Sequence, residues 1–174
     1  MDFCRLIAHR RSCRRFDAGE LDPAEVQSLL RAALMSPTSR NNRSWQFVVV
    51  EDRTDLAKLS DVKERGSAFV AGASVAVVVA GNPDRNDCWV EDGSIAAFAM
   101  QLQAADMGLA SCWVQVRGRR LSDGTSSADV VRGILDIPDD IDILCIIAFG
   151  RSAERLPAHS DDSLLWENIH PDKY

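Results

Sequence analysis

Four arginines fall within six residues near the start of the chain, in the run Arg10-Arg11-Ser12-Cys13-Arg14-Arg15-Phe16. Planar guanidinium groups match phosphate oxygens bidentately, and Ser12 adds a hydroxyl, so the run suits a phosphate-bearing ligand as well as it suits a solvated basic face. A second polar run, Ser36 to Trp45 (S-P-T-S-R-N-N-R-S-W), concentrates amides and hydroxyls. By itself it reads as a loop that ends a helix. Beside the arginine run, donors such as Asn41 and Arg43 suit the heteroatom edge of a flat ring, while Trp45 packs in the core. Side-chain catalysis finds no support: His9, His159 and His170 are isolated, and neither G-x-S-x-G nor metal-ligand spacing occurs, so no catalytic or metal residue is assigned. The absence of G-x-G-x-x-G argues against a Rossmann-type nucleotide domain.

These residues must be held by a chain of 174 residues, a length that fits one domain spanning 1–174. The net charge of −6 and pI near 5.0 oppose a whole-surface attraction to nucleic acid or anionic lipid. Against that acidic background, the first sixteen residues carry five arginines and one acid, Asp2. Five scattered cysteines without a C-x-x-C pair read as reduced thiols, most of them small core residues, and point to the cytoplasm. The most apolar stretch, Ala68 to Ala80, is too short to span a membrane.

Hydrophobic periodicity supplies the elements. Phe3, Leu6 and Ile7 have helical spacing. D-P-A-E at Asp22 opens a helix with the stripe Val26, Leu29, Leu30, Ala33 and Leu34. Strands are predicted at Trp45–Val50, Val75–Ala80, Cys112–Arg117 and Ile143–Phe149, with helices at Asp55–Glu64 and Ala128–Leu135 between them. The segment Gly93 to Ala105 holds no charge. With Asp92 as its cap and Ile95, Phe98, Ala99 and Leu102 on one face, it reads as a helix buried in a core or an interface. Along Cys112 to Arg117 an aliphatic face alternates with one that could meet a ligand. The last 24 residues read as irregular. Two helices followed by alternating strands and helices indicate α/β or α+β architecture around one mixed sheet.

The order R-R-S-x-R-x-F, P-T-S-x-N-x-x-x-W, an apolar helix ending A-A-D-M-G-L-A-S-C-W-V, and a late strand ending in Gly resembles the nitroreductase family of flavin mononucleotide (FMN) enzymes, from Arg10 to about Arg151. The resemblance implies an α+β fold, a three-layer α/β/α sandwich with a mixed central sheet flanked by helices. It also implies bound FMN, with Arg10, Ser12 and Arg14, and Arg11 nearby, as phosphate and ribityl contacts. Pro37, Thr38, Ser39 and Asn41 match a loop that approaches the flavin of the other subunit, and Arg43 lies in that loop. Trp113, Val114 and Gln115 match a strand along the flavin ring near N5, and Gly150 with Arg151 a late phosphate-side contact. The family's N-x-Q-P-W is here Asn41, Asn42, Arg43, Ser44, Trp45, so a charge replaces an amide. The implied activity is a ping-pong oxidoreductase reaction: NADH or NADPH reduces the flavin at N5 and leaves, and a nitroaromatic, quinone or similar small-molecule acceptor follows. Flavin fragmentation or reductive dehalogenation on the same fold is the enzymatic alternative, and a non-catalytic module binding a phosphate ligand the other. The uncharged helix and the two-subunit flavin site together imply a homodimer.

Overall fold

The computed structural model describes residues 2–174. Four strands, β1 (Trp45–Val50), β2 (Val75–Gly81), β3 (Ala110–Gln115) and β4 (Asp142–Gly150), form one sheet in the order β1-β2-β4-β3. All three ladders are antiparallel; the parallel component of the sheet is an isolated bridge between Ser12 and Ser111 on the outer side of β3. The fold is α+β.

Strand alternation divides the core. Val75, Val77 and Val79 face a cluster shared with α2 (Pro23–Leu34) and α4 (Trp89–Asp106). Ala76, Val78 and Ala80 face a second cluster shared with α3 (Arg53–Leu59) and α5 (Ser127–Leu135). Every residue of β2 is buried, as for a strand covered on both faces. Against β4, register shifts between Val79 and Ala80, so Leu144 becomes the extra residue of a bulge. Its carbonyl accepts from both Val116 N and Arg117 N and turns the chain at the end of β3.

The helices follow local chemistry. Pro23 stands first in α2, and the Glu25 carboxylate accepts from Asp22 N at 2.8 Å. Val26, Leu29 and Ala33 are buried as the stripe predicts, whereas Leu34 is 64% exposed. Asp52 accepts from Thr54 N and Asp55 N, so α3 starts two residues earlier than predicted and stops at Leu59; the predicted last turn is a bend through Gly66, at φ +81°.

α4 departs most from expectation. It begins at Trp89, and Asp92, predicted as its cap, lies within the first turn and is buried. Its core face is Ala96, Ala97, Met100 and Ala104, while Ile95 and Phe98 are 44% and 43% exposed. The small residues turn inward because the helix lies close on the sheet: a Cβ on Gly93 would stand 2.9 Å from Leu144 Cδ2 and 3.4 Å from Val79 Cγ1. Gly108, at φ +73°, ends the helix, and Leu109 N returns to Ala104 O at 2.8 Å. The predicted apolar face is therefore outward. α1 (Phe3–His9) packs on α4, and residues 151–174 lie on the surface with two short 3-10 turns, Asp161–Ser163 and Trp166–Asn168.

Candidate functional site

The arginine run is extended and covers the start of the outer side of β3, at Ser111. Cys13 N donates to Ser111 O at 3.0 Å, Ala153 N to Arg15 O at 2.8 Å, and Arg14 N to the Glu154 carboxylate at 2.8 Å. Alternation buries Cys13 and sends Ser12 and Arg14 to the opposite side, against Cys112. There they meet Lys63, carried by the bend after α3, and Arg119, from the turn after β3. Burial, then Arg119 and Arg14, push the Lys63 ammonium below its ordinary pKa, opposed only in part by the Cys112 thiol. Burial raises the Cys112 thiol, while Arg14, the Ser12 hydroxyl and Lys63 draw it back down. Among the described residues no ion pair joins a carboxylate side chain to Arg14, Lys63 or Arg119.

Arg10 and Arg11 open the run. With His9, Cys13, Ser111 and Arg155 they border a cavity of about 350 Å³ at the C-terminal end of α4. Arg11 also donates to Pro157 O, tying down the last segment.

β3 is an edge strand, and its outer side is open beyond Ser111. Because Ser111 O faces that edge, the two-residue alternation turns the backbone groups of Trp113 and Gln115 the same way. The Trp113 indole donates to Gln115 Oε1 at 3.0 Å, and Gln115 Nε2 to Arg117 O at 2.9 Å, so both side chains are fixed beside the edge. Val114 points inward and is fully buried, and the same alternation turns its backbone groups to β4.

The loop from Pro37 to Arg43 lies elsewhere. Asp92, 4% exposed, accepts from Ser39 N at 2.9 and 3.1 Å and from Asn86 Nδ2 at 2.7 Å. Arg43 N donates to Thr38 Oγ1, and Arg43 Nε to Asn41 Oδ1. Pro37, Asn41 and Arg43 are exposed, Thr38 and Ser39 half-buried. This loop sits at the N-terminal end of α4 and leads into β1, while the arginine run sits at the C-terminal end and on the far edge of the sheet. Asp92 to Ala105 alone spans about 20 Å of helix, and three strand spacings add about 14 Å across it. One chain does not bring the two groups together.

Gly150 and Arg151 serve packing in this chain. A Cβ on Gly150 would meet Phe16 at 2.9 Å and Ser74 Oγ at 3.2 Å. Arg151 Nη2 donates to both Glu25 carboxylate oxygens at 3.2 and 3.0 Å, tying β4 to α2. Conversely, the fold sets three residues that the sequence does not single out for a site, Lys63, Arg119 and Asp92, beside ones that it does. Lys63 falls in a predicted helix, Arg119 in the segment between a predicted strand and a predicted helix, and Asp92 is the expected cap. None has a local sequence signal; each acquires meaning only from what the fold puts beside it.

The family model of the nitroreductase family matches residues 7–66 and 57–151, and the chain belongs to that family. An Archaeoglobus fulgidus protein provisionally named NADH dehydrogenase/NAD(P)H nitroreductase is 29% identical over 180 residues, covering all of both chains. The solved structure of an FMN-dependent nitroreductase from Clostridium difficile R20291 superposes with a TM-score of 0.95 at 36% identity, over 97% of this chain and 98% of that one. NADPH:FMN oxidoreductase from Vibrio harveyi, solved with NAD+, shares the fold at a TM-score of 0.82 and 21% identity, over 98% of this chain and 77% of that one. The chain is an oxidoreductase, and no helix among its described residues is long and apolar enough to cross a membrane.

Proposed function

We propose that this protein is an FMN-dependent NAD(P)H oxidoreductase that works as a homodimer and reduces a nitroaromatic, quinone or similar acceptor. The observation that carries the reading is the group Ser12, Arg14, Lys63 and Arg119 beside an open strand edge, cationic and without a carboxylate partner. Its donors fit a ligand that is both a phosphate monoester and a flat heterocycle with several acceptor atoms. Arg10, Arg11 and Ser12 would hold the phosphate; Arg14, Lys63 and Arg119 would face the charge-bearing edge of the ring; the backbone of Trp113 and Gln115 would lie along it, with Val114 anchoring the strand between them. When bound, FMN supplies the hydride chemistry. The protein orients the two reactants on one ring face and places positive charge where a reduced ring carries its negative charge, which favours reduction.

The homodimer reading rests on the separation of the Pro37–Arg43 loop from the arginine run, and on the outward apolar face of α4. A second chain brings its own loop to the site that the first chain leaves half-built. All five cysteines are free thiols, which suits the reducing cytoplasm.

The test is direct. The purified protein should be yellow, release FMN on denaturation, and bleach under anaerobic NADH or NADPH before regaining colour with a quinone or nitroaromatic. A colourless protein that fails to take up added FMN overturns the reading.

A further inference from the structure

The Pro37–Arg43 loop holds an unusual amount of backbone strain. Arg40, Asn41 and Arg43 have φ of +51°, +56° and +53°, three non-glycine residues in the left-handed region within four positions. Such conformations persist only where the surroundings impose them. The surroundings are identifiable: Asp92 grips Ser39 N with both carboxylate oxygens, Asn42 Nδ2 donates to Arg85 O at 2.6 Å, and Thr38 Oγ1 accepts from Arg43 N at 3.1 Å. The result is a guanidinium held out on a fixed stem, its Nε engaged by Asn41 Oδ1 and its remaining donors exposed.

The electrostatics of the stem are one-sided. Residues 26–50 contain Arg31, Arg40 and Arg43 and no carboxylate. Among the described residues Arg43 forms no salt bridge with a carboxylate side chain, and the buried acid beneath it, Asp92, is turned to Ser39 and Asn86. Asp92 itself is buried without a cation, satisfied by a backbone N–H and an amide. With both oxygens engaged, Asp92 fixes the geometry of the loop above it.

We propose that Arg43 selects acceptors bearing a carboxylate or comparable anion, and that Asp92 is the positioning residue that fixes Arg43 for this task. The inference rests on the function proposed above and names the substrate class of that same site.

The experiment compares kcat/KM for 4-nitrobenzoate and for 4-nitrobenzamide, acceptors alike in shape and different in charge, with the FMN-loaded full-length protein. The quantity read is the ratio of the two, which cancels any loss common to both. Arg43→Gln should lower the ratio about fivefold, the upper range for an exposed charge pair. Asp92→Asn should lower it in the same direction through KM for the anion, and should add nothing in an Arg43→Gln background, because both changes remove one effect. Should Asp92→Asn fail to fold, Thr38→Val loosens the same stem by removing the acceptor for Arg43 N and should move the ratio the same way. An unchanged ratio in Arg43→Gln overturns the proposal while turnover of the neutral acceptor leaves the oxidoreductase reading standing. Equal and additive losses on both acceptors in Asp92→Asn overturn the positioning role. Failure of the wild-type protein to bind FMN or reduce either acceptor overturns both readings.

Discussion

Lys63 shows how a residue takes its role from its neighbours. Burial, Arg119 and Arg14 disfavour its charged form, so its pKa in the folded protein lies below 10.5. Without a bound anion, the stability owed to this group rises as pH rises from that lowered value towards 10.5, because the unfolded chain holds the proton longer. A bound anion reverses the preference and restores the proton. FMN affinity should therefore fall as pH climbs through the lowered pKa of Lys63. Lys63→Met should bind FMN roughly tenfold or more weakly, since a hydrogen bond to a charged group is worth about 1.5–3 kcal/mol, and should lack that alkaline fall. Flavin fluorescence titrations at several pH values measure both. The arginines of the run were legible in the sequence because four stood together. Lys63 and Arg119 were not, because each stands in a segment that reads as ordinary surface, and only the fold sets them against Ser12 and Arg14.

Among the elements, strands were read more accurately than helices. The runs at Trp45–Val50, Val75–Ala80 and Ile143–Phe149 are β-rich and closed by breakers, and the structure keeps them within a residue. α4 was found but turned about its axis, for a physical reason. Apolar residues surround it, so periodicity carries little directional information; side-chain size decides instead, and the alanines and Gly93 take the sheet side to allow close approach. Gly93→Ala should thus be destabilising by about 1–3 kcal/mol even though alanine favours helix, because the added methyl overpacks against Leu144 and Val79. Urea unfolding of the wild type and variant measures the difference. The strained loop was invisible for another reason: its left-handed residues are arginine and asparagine, and no glycine announces them.

At the scale of the whole molecule, the opposed placement of loop and arginine run would, in the proposed homodimer, make assembly part of the active site. Ile95 and Phe98 on α4 are exposed together with Phe3 and Ile7 on α1, and Leu164, Leu165, Trp166 and Ile169 stand out from the final segment. The proposed homodimer would cover such an outward apolar face. Phe98→Glu should shift the protein to a monomer by light scattering and lower its FMN content in step, while circular dichroism shows the fold retained. Monomers that keep their flavin would break the link between assembly and site. The open outer edge of β3 has a consequence of another kind. Unpaired backbone groups beside an apolar sheet are a template for adding foreign strands, the first step of aggregation. The chain guards this edge with bulk and charge: Ser12 and Cys13 cover its start, and Arg117, Arg119 and Arg120, all exposed, follow its end. The gap left between these guards is the stretch at Trp113–Gln115. In the proposed holoenzyme the cofactor fills that gap, so the same edge that makes the protein an enzyme is protected from misassembly by the molecule it binds.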